Sequence, residues 1–162
     1  MRNDHFKIAL QEAVTKAASY SATSLELPSL SRSRILIVTL DITSAERDTG
    51  NETYDFYITT GDGVSSWDLI HFPQIATTGA KRYTARIVRD VQPANVTTAT
   101  PGVAAVDSAT LATVSGGTHA IKSLGAGIVR NGPWGDLLGY ELVVAGTVVT
   151  GIAYSITVTA AG

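Results

Sequence analysis

The chain of 162 residues contains no cysteine, which excludes a disulfide framework, a thiolate nucleophile and thiolate metal ligands. Charge is scarce: Asp, Glu, Lys and Arg make up 16% of the residues, against roughly 25% in an ordinary soluble domain. The balance of 12 Lys and Arg to 14 Asp and Glu leaves a net charge of -2, so a protein that coats duplex DNA with a basic face is excluded, and no nucleic-acid partner is expected. No stretch reaches the ~18 uninterrupted apolar residues of a membrane helix. The most apolar tract, from Leu137 onward, is interrupted by glycine and threonine. Residues 1–7 place charges on both sides of a short apolar stretch and lack a signal-peptide core, so neither a targeting segment nor a membrane partner is expected.

Motifs of catalysis are missing as well. There is no Gly-x-Ser-x-Gly elbow, and none of His5, His71 and His119 stands at metal-ligand spacing from another histidine or a carboxylate. Gly61-Asp62-Gly63 lacks a following helix, and Gly125-Ala126-Gly127 lacks both a lysine and a helix start, so neither reads as a phosphate cradle. The expectation is a protein that is not an enzyme, with no catalytic residue, no cofactor and no metal.

What is abundant is small or β-branched: 21 threonines, 21 alanines, 15 valines and 15 glycines, a composition that favours sheet. The length suits one domain, 1–162, able to bury roughly 70% of its unfolded surface. Two conformations compete at the N-terminus. Asp4 as a cap and Phe6, Ala9/Leu10, Ala13/Val14 and Ala17 at helical spacing favour a helix over 4–18, whereas Val14, Thr15 and the Ser/Thr run of 19–24 favour an extended arm over 1–24. Residues 34–42 are apolar on both faces, the pattern of a strand buried between layers, and 43–52 read as a hairpin connection. Tyr54, Phe56 and Ile58 alternate with polar residues, Gly61-Asp62-Gly63 marks a tight turn, and a short strand at 67–72 ends at Pro73. Tyr83, Ala85, Ile87 and Val91 share one face. Two more alternating runs, Leu138/Tyr140/Leu142/Val144 and Ile152/Tyr154/Ile156/Val158, flank Ala145-Gly146-Thr147 and read as a hairpin. Seven or eight short strands with turns between them predict an all-β fold: an antiparallel, jelly-roll-like β-sandwich.

Several residues carry two readings. His71 alternates with Leu69 and Trp67 and reads as an ordinary, partly buried histidine rather than a ligand. Glu46, Asp48, Asn51 and Glu52 offer oxygens in one loop, but without the ligand order of an EF-hand a solvated tip is preferred to a calcium site. Lys81, Arg82, Arg86 and Arg89 form a docking patch for an acidic surface or, equally, a solvated face beside Asp90. Residues 91–121 contain one formal charge, Asp107, and 142–162 contain none. A strand exposed at a sheet edge normally carries charge against stray pairing, so these spans predict shielding by the rest of the sheet, by the N-terminal arm or by another chain. The candidate interface residues are Phe6, Leu10 and Val14 of the N-terminal segment, Arg82 and Arg86, and Trp67 and Trp134 as anchors, with 91–121 as a flap or insertion.

The order of features resembles the small jelly-roll cement (decoration) proteins of tailed bacteriophage heads. The matching stretches are Ala13-Val14-Thr15, residues 21–27 (SATSLEL), the apolar strand 34–42, residues 54–60 (YDFYITT), residues 138–144 (LGYELVV) and residues 150–154 (TGIAY). Residues 81–121 are longer than that pattern. The resemblance implies a virion protein on the outer capsid surface that bridges major-capsid subunits without chemistry and self-associates as dimers or trimers. It also implies an extended N-terminus. A carbohydrate-binding or adhesin-type module and a tail or neck protein are the alternatives.

Overall fold

The computed structural model describes residues 6–28, 30–61, 63, 66–89, 105–107, 124–130 and 134–162. The flap proposed at 91–121 falls outside them except for its residues 105–107, and His5 and His119 also fall outside. Eleven strands are described: β1 (Phe6–Lys16), β2 (Tyr20–Ser21), β3 (Leu25–Glu26), β4 (Ile35–Ala45), β5 (Thr53–Gly61), β6 (Ser66–His71), β7 (Lys81–Val88), β8 (Ala105–Asp107), β9 (Ile128–Arg130), β10 (Leu137–Ala145) and β11 (Ile152–Ala161), with a 3-10 turn at Leu30–Arg32. They form two sheets, β1-β11-β4-β7 and β2-β10-β5-β6-β9-β8, with β3 also on β10. All pairings between strands are antiparallel except β8 with β9. Among the described residues no helix is long and apolar enough to cross a membrane.

The two sheets share one core. Strand alternation sends Leu36, Val38, Leu40 and Ile42 of β4 and Ile152, Tyr154, Ile156 and Val158 of β11 inward to meet Tyr54, Phe56 and Ile58 of β5 and Leu138, Tyr140 and Leu142 of β10. Phe56 meets Tyr154 edge-on with ring centroids 4.7 Å apart, and the Tyr140 and Tyr154 hydroxyls lie 3.0 Å apart. Each fully buried side chain of this size contributes roughly 1.5–3 kcal/mol.

Four local expectations are corrected. Residues 6–16 form a strand and not a helix: β1 runs along β11 with two register shifts. The inward residues Phe6, Ile8, Leu10 and Val14 all occupy even positions, and a spacing of four satisfies a period of two as readily as one of 3.6. The two bulges together insert two residues, so the phase survives them. Second, β4 is not buried on both faces, because Ile37 points outward and is 36% exposed. Third, β10 and β11 are not a hairpin. They lie in different sheets, and residues 146–151 arch across the sandwich between them. Fourth, 43–52 likewise arch from β4 to β5 in the opposite sheet. The turn after β5 is a hairpin as expected, since β5 pairs with β6.

Candidate functional site

Alternation that fills the core also decides what the outer face of the four-stranded sheet presents. Ser155, Thr157 and Thr159 of β11, Ile35, Ile37, Thr39 and Asp41 of β4, and Arg82, Thr84, Arg86 and Val88 of β7 point away from the core. Register aligns them in rows: Lys7, Thr159, Ile37 and Arg86; then Ala9, Thr157, Thr39 and Thr84; then Ser155, Asp41 and Arg82. The Thr39 and Thr84 hydroxyl oxygens are 3.5 Å apart. The result is a face of methyl and hydroxyl groups with charge at its margins.

The four cations read as one cluster have separate uses. Arg82 forks onto Asp41, its Nη2 donating to Oδ2 at 3.0 Å and its Nε to Oδ1; this hydrogen bonding raises the guanidinium pKa further. Lys81 turns onto the carbonyls of Thr77 and Thr78 at 3.0 and 2.8 Å. Arg89 donates to the Trp134 carbonyl at 2.7 Å and covers its ring at 4.6 Å. Arg86 is exposed beside Ile37 and, among the described residues, enters no ion pair; the same holds for Lys7 at the far end of the row.

The proposed anchors are placed differently from one another. Leu10 is core, and Phe6 and Val14 are half-buried against it. The N-terminal segment is therefore an edge strand of the sandwich rather than a free arm. Trp134 is 2% exposed, and its indole N–H donates to the Leu30 carbonyl at 2.8 Å; the ring is sealed rather than presented to a partner or a sugar. Trp67 packs half-buried against the core.

On the outer face of the other sheet, His71 is buried and both its ring nitrogens face acceptors. Nδ1 lies 2.8 Å from the Leu124 carbonyl and Nε2 lies 3.0 Å from Asp55 Oδ1, while Gln74 Nε2 donates to Asp55 Oδ2 at 2.8 Å. Tyr57 stacks on the imidazole at 4.0 Å, and burial, then Asp55, Asp68 and Glu141, raise its phenol pKa. With both nitrogens engaged, His71 has no free nitrogen with which to bind a metal or abstract a proton. Sequence reasoning missed Asp55 because a bulge at Leu69 shifts the hairpin register by one residue, so that Tyr57 and not Phe56 stands opposite His71. Asp41, the partner of Arg82, lies in the stretch read as apolar on both faces, and only cross-strand register brings the two together.

The loop acids are not a solvated tip. Glu46 is 8% exposed and Glu52 0%, although Asp48 remains exposed. Glu46 crosses to the β10–β11 arch, where its carboxylate accepts N–H bonds from Val149, Thr150 and Gly151. The Gly151 bond lowers its pKa most, against burial, with Val149 and Thr150 adding to the drop. Burial works to raise the Glu52 pKa, but the Thr49 N–H and hydroxyl, helped by the Glu52 and Gly50 backbone, outweigh it and hold the carboxyl at about 2. Among the described residues no three His, Cys, Asp or Glu side chains are grouped to hold a metal. These carboxylates clamp two arches together. Compared with known proteins, the chain matches no family model, no curated sequence and no solved structure.

Proposed function

We propose that this chain is a non-enzymatic structural subunit of a virion, a jelly-roll cement protein that docks on a phage capsid and bridges major-capsid subunits; a tail or neck position remains the neighbouring reading. The observation that carries it is the outer face of the four-stranded sheet, where Ile37 is exposed and Thr39, Thr157 and Thr159 are half-buried among few charges. Exposed apolar and hydroxyl surface with charge confined to the margin is the composition of a docking surface.

Strand order supports the resemblance. A ribbon of eight strands folded so that first pairs with eighth, second with seventh, third with sixth and fourth with fifth yields two sheets ordered 1-8-3-6 and 2-7-4-5. Counting β2 and β3 as one and setting β8 and β9 aside, β1-β11-β4-β7 and β2-β10-β5-β6 follow that order. β8 and β9 lie in the long β7–β10 connection, and β8 falls within 81–121, the stretch longer than the family pattern. Jelly rolls serve many roles, so the face and not the fold supplies the function. Many identical copies on a shell let weak contacts add, since each neighbouring contact is effectively intramolecular. Capsid subunits are the partner this reading names, with dimers or trimers of the chain itself on the outer surface of the shell.

The test is sedimentation of the purified protein with shells built from the major capsid protein alone. Co-sedimentation that saturates, and that Ile37→Asp or Thr157→Glu abolishes without changing the thermal midpoint, supports the proposal. Protein left in the supernatant at all shell concentrations sinks it.

A further inference from the structure

We propose that the outer face of the four-stranded sheet is built for an acidic protein surface and not for a second copy of this chain. The inference rests on the docking-face reading above and adds the chemistry of the partner. Two cations without an ion pair among the described residues, Lys7 on β1 and Arg86 on β7, end the same cross-strand row, Lys7–Thr159–Ile37–Arg86. They flank the open Ile37 by three strand spacings in all, about 14 Å. Among residues paired in the three rows the one carboxylate is Asp41, already forked by Arg82; the exposed Glu12 stands in the β1 bulge between the Gln11 and Val14 pairings.

Charge decides between occupants. Two copies docked face to face would bring Lys7 and Arg86 toward groups of their own sign, with Asp41 engaged and Glu12 off the row that carries both cations. Like charges placed opposite each other at an interface cost affinity and select against the wrong partner. A surface that offers a carboxylate at each margin, around a flat centre that takes the threonine methyls and Ile37, satisfies both cations and keeps the apolar strip dry. The hydroxyls of Thr39, Thr84, Thr157 and Thr159 supply hydrogen bonds to such a surface without adding charge. An anionic membrane would use the same two cations but gains little from one isoleucine, whereas stable lipid attachment draws on several basic and apolar side chains together.

The experiment titrates the isotope-labelled full chain with poly-L-glutamate and follows backbone amide shifts, with the Lys7→Glu/Arg86→Glu double variant in parallel. Thermal midpoints confirm that the two chains are equally folded. The expected result is shifts centred on residues 35–41, 84–88 and 155–159, weakened by salt, with the dissociation constant raised about tenfold or more in the double variant. Shifts centred elsewhere, or a double variant that binds as before, overturn the inference. So do phosphatidylglycerol vesicles that shift these residues when poly-L-glutamate does not, which would assign the face to a membrane. Sedimentation velocity that finds self-association through this face would assign it to a second copy and overturn the inference too. Shell binding is read separately: a chain that binds shells while its double variant binds them equally well loses this inference and keeps the capsid reading. A chain that binds poly-L-glutamate on this face and never binds shells does the reverse.

Discussion

At the residue scale the fold draws on buried polar groups such as Glu46, Glu52, Tyr140 and Tyr154, each held by a hydrogen-bond partner. Glu46 and Glu52 titrate below the ordinary glutamate value of 4.5, Glu52 at about 2. A carboxyl whose folded pKa is depressed stabilises the fold above its unfolded value and loses that contribution as pH falls through the folded one. The thermal midpoint should therefore drop between about pH 4.5 and about pH 2, and Glu46→Gln and Glu52→Gln should each flatten that drop while lowering the midpoint at neutral pH. A pH profile by circular dichroism decides it. The tyrosine pair gives a second prediction, from an asymmetry. Tyr140 Oη donates to Gln11 Oε1 at 2.6 Å and also meets Tyr154 Oη. Tyr154→Phe removes one partner and leaves Tyr140 bonded to Gln11, at a cost of about 1 kcal/mol. Tyr140→Phe strips both Gln11 and the buried Tyr154 hydroxyl, and should cost about 2–3 kcal/mol by chemical denaturation. Equal losses would show that the network is not wired as the distances indicate. The long-range partners were not legible in the sequence: Glu46 sits 105 positions from Gly151 and Gln11 sits 129 from Tyr140, separations that no local pattern spans.

At the element scale, the faces of the strands were readable and their partners were not. Tyr54/Phe56/Ile58 and Ile152/Tyr154/Ile156/Val158 point inward as their alternation requires, because a period of two fixes sides before any tertiary contact forms. The same alternation serves a hairpin and an arch alike, since in both cases the inward residues reach the same core. What separates β10 from β11 is the six-residue connection with Glu46 gripping its N–H groups, together with Gly151 pressed against the β1–β2 crossing. Gly151 has φ 92°, and a Cβ there would fall well inside van der Waals reach of the Lys16 carbonyl oxygen. Gly151→Ala should therefore cost at least about 1–2 kcal/mol from backbone conformation alone, more if the crossing is pushed away. Gly50→Ala, with φ 79° and open space around its Cβ position, should cost only the backbone part. Denaturant midpoints of the two variants compare strain with strain plus clash, and a Gly50 loss as large as that at Gly151 would remove the close-approach argument.

For the whole molecule, the uncharged C-terminal span takes its meaning from strand order. β11 lies between β1 and β4, and β10 lies between β2/β3 and β5, so neither presents a bare edge and neither needs guarding charges. The shielding expected of 142–162 is thus supplied by the chain's own strands. Threading the last strand between the first and the fourth has a further consequence. A fragment ending before residue 90 holds β1, β4 and β7 but lacks the strand that joins β1 to β4, and its β5 lacks β10. Each missing neighbour leaves a full-length row of unpaired N–H and C=O groups and half of a core open to water. Neither the fragment 1–100 nor the fragment 101–162 should fold alone, as judged by cooperative thermal melting. An equimolar mixture should regain the native near-ultraviolet spectrum, because the central pairings β11·β4 and β10·β5 both cross the cut. Cooperative melting of the N-terminal fragment by itself would mean that β1 and β4 have another way to satisfy their edges, and the account of why the last 21 residues go without charge would fail with it.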